Sequence, residues 1–400
     1  MMSESTVSIV KTKAKPNEKE IIEAVRQAVD LAGGIKDLFK PGDSVLINPN
    51  LVAVPTERCS GAVTLKEVCK AVAILVEELG GKPIIAESSA AGVDTEKVIE
   101  ATGYNELRDE GYRVVDLKKE ETIKIKVPNG YVLEEIKTYK LVKEVAAIIS
   151  VPVMKTHDQA EASLSIKNLK GLIPDNDKKD FHRIYSIYKG VPDLMAAIKP
   201  SFAVVDGIVA QQGLGPIFGL PVEMNLIIAG RDLVSVDSIT GQIMGIDEEE
   251  LIMEHNAAKK GLGVIDRSQI SVVGETVASV AKKFMRAVDH VIIDEPTFNL
   301  IFEDGTCTGC RNTVLSSLND IKNDNLEEYL KNKTVVAGKC NSLPENVDPE
   351  NLILVGACIA DKKEMGKYVK GCPPNNIWIV QAIVGEGKAK RQYATEDIDD

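Results

Sequence analysis

The chain has 400 residues, 48 Lys+Arg against 60 Asp+Glu for a net charge of −12, and 44% hydrophobic residues. That length supplies two or three domains with cores of their own. The acidic balance leaves no electrostatic footprint for nucleic acid, and no apolar run approaches the ~20 residues that cross a bilayer.

Residues 1–20 hold no basic stretch leading into an apolar one, so no signal peptide is read and a cytoplasmic protein is expected. Short β-branched runs then alternate with longer amphipathic stretches, the pattern of an α/β fold with mostly parallel sheets and helical crossovers. Strands are expected at 7–10, 44–47, 83–86 and 113–116. Helices are expected at 18–31 and 65–79, each stopped by a glycine pair, Gly33 and Gly34 or Gly80 and Gly81. Polar and apolar residues alternate over 120–143 around Pro128, Asn129 and Gly130, which reads as an inserted β-hairpin.

Apolar runs at 146–153, 202–206 and 224–229 each pass into charged or glycine-rich residues. Ligands of open α/β sheets sit beyond the carboxyl ends of strands, so these three loops are expected to converge on one site. A helix at 233–244, a strand at 270–273 and a helical run at 276–288 complete a domain over 1–280, with a linker near 275–288. The rhythm restarts in a smaller α/β domain over 288–390. Its strands are expected at 291–293, 299–302, 334–337, 352–355 and 367–369, and its helices at 312–323 and 377–384. An acidic tail occupies 391–400.

The seven cysteines are uneven: Cys59 and Cys69 lie early, then none appears before Cys307, Cys310, Cys340, Cys358 and Cys372. Cys69 falls in an amphipathic helix and reads as core, whereas Cys59 lies in a polar loop. Reducing compartments disfavour disulfides, so the late cluster reads as metal ligation or redox chemistry. Each late cysteine follows an expected strand. In a parallel sheet all would project from one edge, with Pro373 and Pro374 opening the next helix and helix N-termini favouring a negatively charged cluster. Zinc is the competing reading, but a zinc site would pair the CxxC with a second close pair, and the remaining cysteines are single and far apart. The order CTGC, GxC, GCPP resembles the flavodoxin-like domain of nickel–iron hydrogenase small subunits and the related cluster-bearing subunit of NADH:quinone oxidoreductases. That resemblance implies a [4Fe–4S] cluster on Cys307, Cys310, Cys358 and Cys372. Spacing departs from the family pattern, and the fourth ligand stays open between Cys340 and Cys372.

The second constellation lies between 155 and 170, where Lys155, His157, Lys167, Asn168 and Lys170 form a local basic patch suited to an anion. Asp206 and Gly207, the loop Gly213–Gly219, Asp232 and Asp237 follow, and His182 is a further candidate. Capping competes with metal binding for Asp232, and Asn168 could cap a turn. The segments KTH, KNLKG, VDG and AGRDLVSVD resemble the family known as domain of unknown function 362, over residues 5–275, which implies no reaction. No P-loop, GxGxxG turn or GxSxG elbow is present.

Taken together, these features predict an iron–sulfur oxidoreductase. Lys155, Lys167 and Lys170 hold a small anionic substrate, His157 moves a proton with Asn168 and Asp206 in the site, and a partner protein donates electrons. Two other classes stay open: a non-redox iron–sulfur lyase, dehydratase or sulfur-transfer enzyme, and an electron-transfer adaptor without catalysis of its own.

Overall fold

The computed structural model describes residues 5–388 except 56, 59, 158, 184, 218, 287–292 and 304–305, and all their side chains but those of 182, 183 and 308. Cys59, the His182 side chain, most of the strand expected at 291–293 and the tail at 391–400 therefore lie outside the described residues.

The first part of the chain supplies β1 (Ser5–Lys11), β2 (Ser44–Pro49), β3 (Lys82–Glu87), β4 (Arg113–Asp116), β5 (Thr122–Lys126) and β6 (Glu135–Tyr139). It continues with β7 (Ala147–Val151), β8 (Val153–His157), β9 (Glu161–Ser163), β10 (Phe202–Gln212), β11 (Leu220–Gly230) and β12 (Ile270–Gly274). Ten of these form one sheet in the order β12-β1-β11-β10-β7-β2-β3-β4, with β8 paired to β10 and β9 to β8. Along that path every pair is parallel except the two made by β11. The class is α/β.

The strands read as continuous apolar runs because both faces are covered. Val45 and Ile47 pack under the helices Glu18–Leu31 and Lys66–Glu78. Leu46 points the other way, into a core built with Ile187–Ile198 and Leu233–Ile243. A capping box on Asn17 starts the first helix, with the Asn17 side chain accepting from Glu20 N–H and Glu20 reaching back to Asn17 N–H. The hairpin expected within 120–143 is present as β5 and β6, a separate two-stranded sheet.

Three expectations change. The run 146–153 does not end in a loop. The pairing breaks at Pro152, which has no N–H, and resumes as β8, carrying Lys155, Thr156 and His157 into the sheet as buried strand residues. β10 and β11 run to 11 residues each and form one antiparallel hairpin. The carboxyl end of β11, with Asp232 beyond it, therefore lies at the opposite end of the sheet, and only two of the three loops converge. Finally, the helical run expected at 276–288 stops after Val277–Val280. The following residues are strapped onto the large sheet's core through Lys282 N–H to Ile243 O, Phe284 N–H to Met244 O and the buried Phe284 ring.

The later strands are β13 (Asn299–Ile301), β14 (Thr334–Ala337), β15 (Leu352–Val355) and β16 (Lys367–Val369). They form a wholly parallel sheet whose order follows the chain, unlike the flavodoxin order with its first strand between the second and third. The helices Thr308–Asn323 and Asn376–Val384 cover one face. The two sheets meet where Ser186 bridges Cys372, Ile187 N–H donates to Cys372 O at 3.3 Å, and Gln159 Nε2 donates to Pro374 O at 3.2 Å.

Candidate functional site: a lysine-lined cleft beside four thiols

Strands β2, β3 and β4 succeed one another toward one edge of the large sheet, and β7, β10 and β11 toward the other. The crevice beyond β2 and β7 is thus a topological switch point. A cleft of about 200 Å³ opens there, lined among others by Asn50, Glu87, Lys155, His157, Gln159, Lys167, Asn168, Lys170, Lys178 and Lys179. That volume suits a small metabolite rather than a dinucleotide.

A polar chain runs beneath the cleft. Lys155 Nζ donates to Asn50 Oδ1 at 2.7 Å, and Asn50 Nδ2 donates to Asn168 Oδ1 at 2.9 Å. Asn168 Nδ2 then reaches Asn48 Oδ1 at 3.2 Å and Asn48 O at 2.9 Å, and Asn48 Nδ2 donates to Glu87 Oε2 at 2.6 Å. Each amide both gives and accepts, which fixes its orientation. Asn168 is thus a latch between strands rather than a turn cap.

Lys155 is fully buried, and its three donors are taken by Asn50 Oδ1, Ala62 O at 2.7 Å and Pro216 O at 3.2 Å. Burial pulls its pKa well below that of a free lysine, with Lys167 pushing the same way and Glu87 opposing. Three acceptors around one nitrogen favour the ammonium. This corrects its expected role as an anion ligand: Lys155 is a bracket that holds two loops on β8. The glycine-rich loop closes on this strand, since a Cβ at Gly215 would overlap Thr156 O, and its Pro216 lines the cleft.

His157 is buried and accepts from Gln159 N–H on Nδ1 at 2.9 Å, which places the ring proton on Nε2. Burial, then Lys167, Lys170 and Lys155, hold its pKa well below the usual value, so the ring is a neutral donor. The better proton store is Glu87, which the sequence reading missed. Burial pushes its carboxyl up to about 8 against the pull of Lys178, the Asn48 amide, Lys118 and Lys155. Lys178, also missed, donates to Ser88 O, Ser88 Oγ and Ser89 O, and burial lowers its pKa to about 8 against Glu87 and Asp175. Lys167 lies 3.4 Å from Ser163 Oγ, and Lys170 sits over the Phe181 ring at 5.6 Å.

Asp206 lies off the cleft lining, which corrects its expected place there. Its oxygens accept from Leu65 N–H at 2.8 Å and Ile208 N–H at 3.0 Å, anchoring the start of the helix Lys66–Glu78. Burial raises its pKa to about 7 despite those two bonds. Asp232 caps Leu233–Ile243 through Val234 and Ser235 N–H, and Asp237 accepts from Ser165 and Ile166 N–H.

The cysteines occupy the carboxyl edge of the small sheet. Cys307 is the N-cap of Thr308–Asn323, and its pKa falls to about 6 through the Cys310 thiol and the backbone N–H groups of Cys310 and Gly309, against burial. Cys310 feels Cys307, Cys372 and Cys358, and Cys372 feels Cys307 and Cys358. Those four thus share one electrostatic neighbourhood. Cys340 turns away, donating to Glu303 Oε1 at 3.1 Å and Ser342 O at 2.9 Å. Among the described residues no three His, Cys, Asp or Glu side chains gather closely enough to hold a single metal ion. Pro373 and Pro374 do not open the next helix, which begins at Asn376 with Asn375 as its cap. Asn375 and Asn376 instead line the cleft. Cys69 is core, accepting from the Tyr104 hydroxyl at 3.3 Å.

No helix among the described residues is long and apolar enough to cross a membrane. The profile of a family described as a domain of unknown function, DUF362, matches residues 45–241, which include Lys155 to Asn168 and end before Cys307. A thylakoid-associated protein, sll1697 of Synechocystis, is 30% identical over 238 residues, covering 57% of this chain and 71% of that protein. Among solved structures, the lactate racemase apoprotein of Thermoanaerobacterium thermosaccharolyticum aligns over 96% of this chain and 91% of its own, at 12% identity and a TM-score of 0.40, a likeness that carries no argument about chemistry. On the family profile and the Synechocystis relative, the chain belongs to the DUF362 family.

Proposed function

We propose that this protein is an iron–sulfur oxidoreductase that binds a small anion in the lysine-lined cleft, with a [4Fe–4S] cluster held by Cys307, Cys310, Cys358 and Cys372. The observation that carries the reading is the gathering of those four thiols in one field while Cys340 is engaged by Glu303. A single ion draws all its ligands to about 2.3 Å from one centre. A cluster gives each thiolate an iron of its own, so the absence of a tight trio is compatible with it.

The donor set fits. Cys307 is poised as a thiolate, and Gly356 (φ 108°) leaves room beside Cys310, where a Cβ would come within 3.0 Å of Sγ. When bound, such a cluster supplies single electrons. The chain's own residues do the rest. Lys167, Lys170 and Lys179 attract the anion, His157 lines the cleft as a neutral ring, and the Glu87 carboxyl holds a proton near neutrality. An electron-donor protein completes the proposal.

The test is iron and acid-labile sulfide analysis of anaerobically prepared protein, with about four iron per chain expected. Cys307→Ser, Cys310→Ser, Cys358→Ser and Cys372→Ser each lower that figure, and Cys340→Ser leaves it unchanged. Iron-free wild type under these conditions, or iron loss only in Cys340→Ser, rejects the assignment.

A further inference from the structure

Gln159 lines the cleft and also reaches the cysteine-bearing part of the chain. Its backbone N–H sets the His157 tautomer at 2.9 Å, and its backbone O accepts from Tyr188 Oη at 3.0 Å. That hydroxyl packs against Gly309 of the CTGC turn so closely that a Cβ on Gly309 would overlap it. Its side-chain Nε2 holds Pro374 O at 3.2 Å, within the segment that runs from Cys372 to the cleft-lining Asn375 and Asn376. The Gln159 side chain is buried and its Oε1 has no hydrogen-bond partner among the described residues, so the Nε2 bond to Pro374 O alone orients the amide.

We infer that Gln159 is the positioning residue through which the cysteine site and the anion cleft are coupled: it ties the segment that begins at Cys372 into the cleft as one wall. The inference rests on the iron–sulfur reading above. Fixing Cys372 at a metal fixes the segment that follows it, and the Gln159 bond to Pro374 O holds that segment, with Asn375 and Asn376, against the cleft. Coupling between two sites is reciprocal, so the anion must also favour metal retention by the same factor.

The experiment measures sulfate affinity by calorimetry on the full chain, iron-loaded and chelator-stripped, for wild type and for Gln159→Met, which keeps the volume and removes the donor. Wild type is expected to bind sulfate at least fivefold more tightly when loaded, the lower end of typical coupling. In Gln159→Met the ratio falls to about one, with iron content retained. A residue important only for folding would weaken both forms alike and keep the ratio. If Gln159→Met does not fold, Gln159→Leu takes its place in the same comparison, and iron release with and without sulfate gives the reciprocal measurement, slower with sulfate in wild type and unchanged by it in the variant. Equal affinities and equal release in wild type overturn the coupling alone. A chain that takes up no iron overturns the iron–sulfur reading and the coupling with it, and a chain that binds iron but not sulfate overturns the anion reading and the coupling together.

Discussion

Charge at single residues in the cleft divides into two kinds, and the lysines illustrate both. Lys155 has all three protons committed to buried protein acceptors, whereas Lys179 is exposed on the rim. Replacing Lys155 with Met leaves the Asn50 amide oxygen and two carbonyls without a donor. At the cost of a buried unsatisfied polar group, this lowers stability by about 2–3 kcal/mol. Lys179→Met leaves stability within about 0.5 kcal/mol, as surface changes usually do, and weakens sulfate binding. Urea unfolding and calorimetry of the two variants separate the roles. An unchanged unfolding midpoint in Lys155→Met would return that lysine to the ligand set.

At the scale of elements, the KNLKG segment packs where β3 ends, and Gly171 shows why the motif closes on glycine. A Cβ there would overlap both Glu87 carboxylate oxygens. Gly171→Ala is therefore expected to cost about 1–3 kcal/mol, the usual range for overpacking. Glu87→Ala in the same chain makes room and returns part of the loss, a coupling that a double-mutant cycle reads directly. Additive effects would mean that the two groups do not meet. The same pair shows what was legible in the sequence. The strand ending near Ala86 is plain from its apolar run, and KNLKG stands out by its charge. Glu87 stays hidden because one acid after a strand resembles any solvated loop residue until β2, β3 and the KNLKG turn are folded together. Asn48 and Asn50, one and three residues beyond the expected end of β2, escaped for the same reason. Lys155 and His157 were visible as residues, but their burial was not. A strand that breaks at Pro152 and resumes gives no periodic signal of its own. β11 was readable as a strand, yet its reversed direction, which removes Asp232 from the site, depends on the long hairpin with β10 that no local pattern announces.

Across the whole molecule the formal charge is −12, yet the cleft gathers Lys155, Lys167, Lys170, Lys178 and Lys179 around one buried acid. A cleft with low-dielectric walls focuses such a field, so the local sign rather than the global one governs a small ligand. The buried acid makes this field dependent on pH. Below pH 8 the Glu87 carboxyl keeps its proton and Lys178 keeps its charge, since burial moves the first up to about 8 and the second down to about 8. Raising the pH through 8 adds a negative charge at Glu87 and removes a positive one from Lys178, and both changes oppose an anion. Sulfate, which does not titrate in this range, is therefore expected to bind more weakly at pH 9 than at pH 7, by about tenfold for each unit charge lost beside it. Glu87→Gln keeps the hydrogen-bonding shape and removes one of the two titrations, so its profile over the same range is shallower. The attraction inside the cleft is screened less than that between exposed charges, so added sodium chloride at fixed pH weakens binding less than the pH change does. Calorimetric titration across pH 6–10 reads both variants, and a flat wild-type profile would mean that neither Glu87 nor Lys178 titrates within reach of the bound anion.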